Sequence, residues 1–135
     1  MYSLPEPTDE GRRIQAEKMN NERISREIVV QHEVSEGREP EEMPGTTAGY
    51  DIESVEKNGD IRFIEVKSIS GRWGGAGVTL SYSQINFASI KKDAFWLYIV
   101  ESVESENPRI FKIQNPVKYI RGFKFNDAWK ELALE

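Results

Sequence analysis

From Ile61 to Ser68 apolar and charged positions alternate, Ile64 and Val66 against Glu65 and Lys67, which is the period-two pattern of a strand with two unlike faces. Residues 51–55 repeat the pattern, with Ile52 on one side and Asp51 and Glu53 on the other. Lys57-Asn58-Gly59 lies between the two runs, and Asn-Gly is the strongest short hairpin signal a sequence offers. Elsewhere the period changes. After Gly11 the chain avoids Gly and Pro as far as Glu36, is rich in Glu, Arg, Gln and Ala, and carries a narrow apolar stripe of Ile24, Ile28 and Val29. This predicts one or two helices ending at Gly37. Residues 38–48 read as a loop or a short irregular strand, and residues 70–77 as a flexible, glycine-rich loop.

The second half begins with a short strand, Val78-Thr79-Leu80, and a helix opened by the capping box Ser81-x-x-Gln84 and running to about Lys92. The apolar run Ala94-Phe95-Trp96-Leu97-Tyr98-Ile99-Val100 predicts a central strand over residues 94–102, with Arg109 to Gln114 as its hairpin partner and Asn115-Pro116 as the stop. Asp127 to Leu134 predicts a closing helix. The fold expected is α/β or α+β, a sandwich on a mixed sheet in which helix 82–92 crosses over between parallel strands. Residues 1–10 read as a flexible lead-in and residues 11–135 as one domain.

Turn length decides whether the charges of the first hairpin meet. A two-residue Asn58-Gly59 turn would set Asp51 opposite Val66 and mix carboxylate with apolar groups on one face. A three-residue loop with Gly59 in the left-handed conformation instead pairs Glu56 with Asp60 and Asp51 with Glu65. Opposite residues on such a ladder have Cβ atoms about 4.5–5.5 Å apart. Two carboxylates at that spacing could grip one divalent cation, with Lys67 one step along the same face. Glu53 would lie beside them, either tuning the site or adding repulsion.

Composition narrows the chemistry. With no cysteine, the chain has no disulfide, thiolate zinc site or cysteine nucleophile, and with His32 as its one histidine a metal must be held by oxygens, which favours magnesium, manganese or calcium. No nucleophile-elbow sequence accompanies His32, which reads as a partly exposed helical residue. No apolar run is long enough to span a bilayer, and the polar N-terminus carries no signal pattern, so a soluble cytoplasmic protein is expected. The net charge is −5, but residues 1–60 hold 15 acidic against 7 basic side chains and residues 61–135 hold 8 against 11. The total argues against nucleic-acid binding by phosphate neutralisation alone, though not against a basic surface beside an acidic centre.

Several residues admit a functional and a plain reading. Arg72 and Trp73 in the glycine-rich loop could meet a phosphate and stack on a base, or the indole could pack back on the domain. Lys91 and Lys92 could touch a phosphate backbone, while cations at a helix C-terminus also complement its dipole. Phe95, Trp96, Tyr98, Phe111, Phe123, Phe125 and Trp129 read as packing residues.

An acidic residue on one strand followed by Glu-x-Lys on the next, here Asp51 and Glu65-Val66-Lys67, resembles the PD-(D/E)xK nuclease superfamily. More of the chain resembles one branch of it. Glu33-x-x-x-Gly37-Arg38-x-Pro40, Gly49-Tyr50-Asp51-Ile52-x-Ser54, Arg62-x-Ile64-Glu65-Val66-Lys67, Ala88 and Trp96-Leu97-Tyr98-x-Val100 are similar to the NO VEIN C-terminal domain family, over about Val29 to Pro116. The resemblance implies a restriction-endonuclease-like core of helix, three strands, helix and strand. It also implies a site in which Asp51 and Glu65, with a backbone carbonyl, hold Mg²⁺ or Mn²⁺ and Lys67 orients water or stabilises phosphate charge. Glu33 on the first helix would be a further acidic group, in preference to Glu27, six residues earlier and on another face.

The chain departs from that pattern in two places. Many relatives have Thr-x-Asn-Glu where this sequence has Ser81-Tyr82-Ser83-Gln84, and glycine is common where it has Ser68. The implied activity is a Mg²⁺-dependent endonuclease acting on nucleic acid, DNA first, in restriction, defence or repair. Such domains recur beside helicase or ATPase modules, and a homodimer is one arrangement open to them. The alternative is a nuclease-fold module that binds nucleic acid or a partner protein without turnover.

Overall fold

The structure, a computed structural model, describes residues 6, 8–74, 77–120, 124–125 and 133. Helix α1 (Asp9–Ser35) starts at Thr8, whose hydroxyl accepts a hydrogen bond from Gly11 N (2.9 Å), and Asp9 and Glu10 complement the dipole of its first turn. It ends just before Gly37, as the sequence predicts. Its buried positions, Ser25, Val29 and Glu33, form one stripe at helical spacing.

Five strands follow in one mixed sheet ordered β1-β2-β3-β5-β6: β1 (Glu39–Glu42), β2 (Ile52–Val55), β3 (Ile61–Ser68), β5 (Phe95–Glu101) and β6 (Arg109–Gln114). The irregular segment after Gly37 is therefore an edge strand, where Pro40 lacks a ladder N–H without cost and acidic side chains discourage further pairing. Strand β4 (Val78–Thr79) pairs with β7 (Lys124–Phe125) in a separate two-stranded ribbon. Helix α2 (Tyr82–Lys91) carries the reciprocal capping box between Ser81 and Gln84 and makes the crossover that leaves β3 and β5 parallel. The predicted helix over residues 127–134 lies almost wholly outside the described residues.

The sheet is covered on both faces, and strand alternation assigns every side chain to one of them. Even-numbered residues of β3 and β5, Ile64, Trp96, Tyr98 and Val100, pack with Ile52 and Val29 against α1. Odd-numbered residues Leu97 and Ile99 of β5 pack with Trp73, Val78, Leu80, Phe111 and Ile113 on the face where Ile85 of α2 joins them. Of the charged residues of β3, Glu65 and Lys67 point to this second face, while Arg62 lies on the first, over the Trp96 ring. The alternation first suggests an open charged surface. The α2 layer instead encloses Glu65, which is 4% exposed. Among the described residues no helix is long and apolar enough to cross a membrane.

Candidate active site

The hairpin adopts the three-residue loop. Gly59 sits at φ +93°, a conformation that costs glycine nothing, and Glu56 N donates to Asp60 O (2.7 Å). The ladder then runs Val55↔Ile61, Ser54↔Arg62, Glu53↔Phe63 and Ile52↔Ile64, which brings Asp51 up against Glu65. The regular pairing stops there. Asp51 N donates to Ile64 O (2.8 Å), and Val66 N donates to the side-chain Oδ2 of Asp51 (2.9 Å), so one carboxylate oxygen closes the ladder in place of a backbone carbonyl. Two residues earlier Gly49 turns the chain at φ +97°, where an added Cβ would lie 2.7 Å from Phe87 Cβ. Tyr50 stacks on Phe87 (centroids 4.7 Å apart), which clamps the approach to Asp51 against α2.

Glu65 has an uneven environment. Its Oε1 accepts from Gln84 Nε2 (2.8 Å), while Oε2 is buried without a hydrogen-bond partner. Burial first, and then the neighbouring Asp51 charge, push the Glu65 pKa up to about 9, and Lys67 offsets part of this. Gln84 serves two structures at once, because its Oε1 also accepts from Ser81 N (2.8 Å) in the capping box. Capping alone therefore does not account for this residue. Its neutral amide donates to the carboxylate at a position where a glutamate would repel it.

These groups open into a cleft of about 610 Å³ at the C-terminal end of β3, lined also by Ser68, Thr79 and three residues of α1, Lys18, Glu22 and Arg26. The α1 residues escaped the sequence analysis. Glu22 lines the cleft with the pair, and its charge also raises the Glu65 pKa. The signal was present: 18, 22, 26, 29 and 33 follow the three- and four-residue spacing of one helix face, and Val29 and Glu33 are its buried continuation. The cleft walls thus hold three cations, Lys18, Arg26 and Lys67, and three carboxylates, Glu22, Asp51 and Glu65.

The predicted members Asp51, Glu65 and Lys67 come together here, and the others do not. Glu33 is on the opposite, α1-covered face of the sheet and is fully buried. Arg38 grips both its oxygens (2.7 and 2.6 Å) and Tyr98 OH donates to Oε2 (3.1 Å). Burial by itself would raise the Glu33 pKa, but Arg38, with Ser54 and Tyr98, outweighs it and holds the group below the usual carboxylate range. Glu27, the alternative, is exposed and paired with Arg23 (2.6 Å).

Trp73 does not present its ring for stacking. It is 1% exposed and packs against Phe111 in the core, while its backbone N–H donates to Glu101 Oε2 (2.7 Å). Of the two readings of this residue, packing back on the domain is the one the structure shows. Arg72 beside it is exposed and is not among the residues lining the cleft. Lys91 holds its ammonium 4.7 Å from the Phe63 ring centroid, at the other end of β3, about 13 Å of strand from Lys67. Lys92 follows α2 at that same distant end. His32 is half-buried with Nε2 2.9 Å from Lys112 Nζ, and burial and that cation lower its pKa.

Among the described residues no group of three or more His, Asp or Glu side chains is arranged to hold a metal. The available donors are the Asp51 and Glu65 carboxylates and neighbouring backbone carbonyls. That set suits Mg²⁺, which is commonly bound by one or two carboxylates with the remaining positions filled by water and substrate phosphate. The orphaned Glu65 Oε2 fits such an ion.

A family model described as "Protein NO VEIN, C-terminal" matches residues 21–113, from the second half of α1 to β6. No curated protein and no solved structure matches the chain. The match covers more than half of the chain and includes Glu22, Arg26, Asp51, Glu65, Lys67 and Gln84. The chain belongs to the family of the NO VEIN C-terminal domain.

Proposed function

We propose that this domain is a Mg²⁺- or Mn²⁺-dependent phosphodiesterase that hydrolyses nucleic acid, DNA first. One observation carries the reading: Glu65 is buried with an unpartnered oxygen directly beside Asp51, with Lys67 on the same strand face. A buried pair of carboxylates is costly, and the groups that offset the cost are protons or a cation. A divalent ion held by Asp51 and Glu65 supplies polarisation of the phosphate and a lowered pKa for the attacking water.

The protein's own residues do the rest. Gln84 holds Oε1 of Glu65 and leaves Oε2 without a partner. The Val66 N–H fixes Asp51. Lys67 brings a positive charge to where the phosphate accumulates negative charge as water adds to phosphorus and the P–O bond to the sugar oxygen breaks. On this reading the domain acts in restriction, defence or repair in the cytoplasm, beside a helicase- or ATPase-type module.

The test is cleavage of supercoiled plasmid and of single-stranded DNA by the purified chain with Mg²⁺ or Mn²⁺, against EDTA. Nicking that needs the metal and falls at least about a hundredfold in Lys67→Ala is the expected result. A second reading, a module that binds nucleic acid or a partner protein without turnover, is favoured by the neutral Gln84 in place of an acidic group. A folded chain that binds metal and DNA and cuts neither substrate would put that reading first.

A further inference from the structure

We infer that α1 is the phosphate-contacting wall of the cleft, with Lys18 and Arg26 holding the backbone of a nucleic-acid strand beside the carboxylate pair, and that a divalent ion at that pair strengthens the contact. The inference rests on the phosphodiesterase reading of the same site and assigns it a substrate track. Four residues of helix rise about 6 Å, so Lys18, Glu22 and Arg26 stand one above another on one face, with the two cations about 12 Å apart. Glu22 lies midway between them on that helix face. All three line the cleft with Lys67.

Neither cation is committed elsewhere by a strong bond. Lys18 is exposed, and Arg26 Nε meets Glu42 Oε1 at 3.3 Å in a pair open to solvent on both sides. Exposed pairs of this kind contribute about 0–1 kcal/mol, so exchange of Glu42 for a phosphate costs little. By contrast Lys91 is seated on Phe63 at the far end of β3.

Charge couples the contact to the ion. The carboxylates of Glu22, Asp51 and Glu65 share the cleft with its three cations, and a divalent ion held at Asp51 and Glu65 adds positive charge where a polyanion lies. Because the coupling is reciprocal, DNA must in turn tighten the ion's binding.

Fluorescence anisotropy of labelled single-stranded and duplex DNA tests this, with Ca²⁺ in place of Mg²⁺ so that the DNA stays intact. The wild-type chain should bind at least about tenfold more tightly with Ca²⁺ than with EDTA. Lys18→Ala and Arg26→Ala should each weaken binding several-fold and reduce the salt slope by about 1. Glu22→Gln has the opposite sign, tightening binding most in EDTA, and Lys91→Ala with Lys92→Ala should leave the affinity unchanged. Wild-type affinity and slope in both α1 variants, while the unaltered chain binds DNA, would overturn the α1 track and leave the phosphodiesterase reading intact. Failure of the unaltered chain to bind either DNA in Ca²⁺ would overturn both.

Discussion

Two of the almost fully buried glutamates, Glu33 and Glu65, lie on opposite faces of one sheet, and they are treated in opposite ways. Glu33, under α1, receives a bidentate guanidinium and a tyrosine hydroxyl, and its pKa falls. Glu65, under α2, receives one neutral amide and a second carboxylate, and its pKa rises to about 9. Depth is the same, so depth does not set the outcome. The partners do. The first arrangement is complete within the chain and reads as structure; the second is satisfied only by a proton or a cation and reads as a site.

The largest effect should come from breaking the complete side. Arg38→Ala leaves the Glu33 carboxylate buried without its cation and should cost about 3–5 kcal/mol of stability in urea unfolding. A loss under about 1 kcal/mol would mean that the pair is a solvated contact, and the contrast between the two faces would fail.

Next comes the pH profile of thermal unfolding in EDTA. A carboxyl whose folded pKa is raised stabilises the fold while protonated, so Glu65 should make the metal-free protein progressively less stable as pH rises from about 4.5 toward about 9. Glu33, with its lowered pKa, works in the other direction and withdraws stability as pH falls through the acid range. Glu65→Gln should flatten the alkaline decline, and Mn²⁺ should reverse it in the unaltered chain alone. Parallel melting profiles for the two proteins would remove Glu65 as the cause.

The smallest expected effect separates the two duties of Gln84. Ser81→Ala removes a cap worth about 1 kcal/mol and leaves the amide near Glu65, so Mn²⁺ affinity by calorimetry should hardly change. Gln84→Ala loses cap and amide together and should weaken Mn²⁺ about tenfold. Equal weakening in both variants would mean that Gln84 acts only through the helix cap.

Much of this arrangement was legible in the residues. Asn58-Gly59 and the alternation on both sides of it predict the three-residue loop and the meeting of Asp51 with Glu65, because turn chemistry and strand period are local. The capping box and the strand 94–102 are local for the same reason. Trp73 was legible only as an alternative between stacking and packing back on the domain, and the far strands Phe95–Glu101 and Arg109–Gln114 decide for packing by providing its pocket.

The sequence by itself therefore determined the elements, the hairpin register and the family, each set by neighbours a few residues apart or by the order of residue types. Only the tertiary structure decided which charges share a cleft. A strand shows its two faces in the sequence, but a helix shows only which residues lie together and not which layer they meet. For that reason the sequence ranked Glu33 above Glu27 and left Glu22 unnamed, and the order changed only with the packing of α1 across the sheet. Its one buried stripe then placed Glu33 against Arg38 in the interior and Glu22 at the mouth beside Glu65.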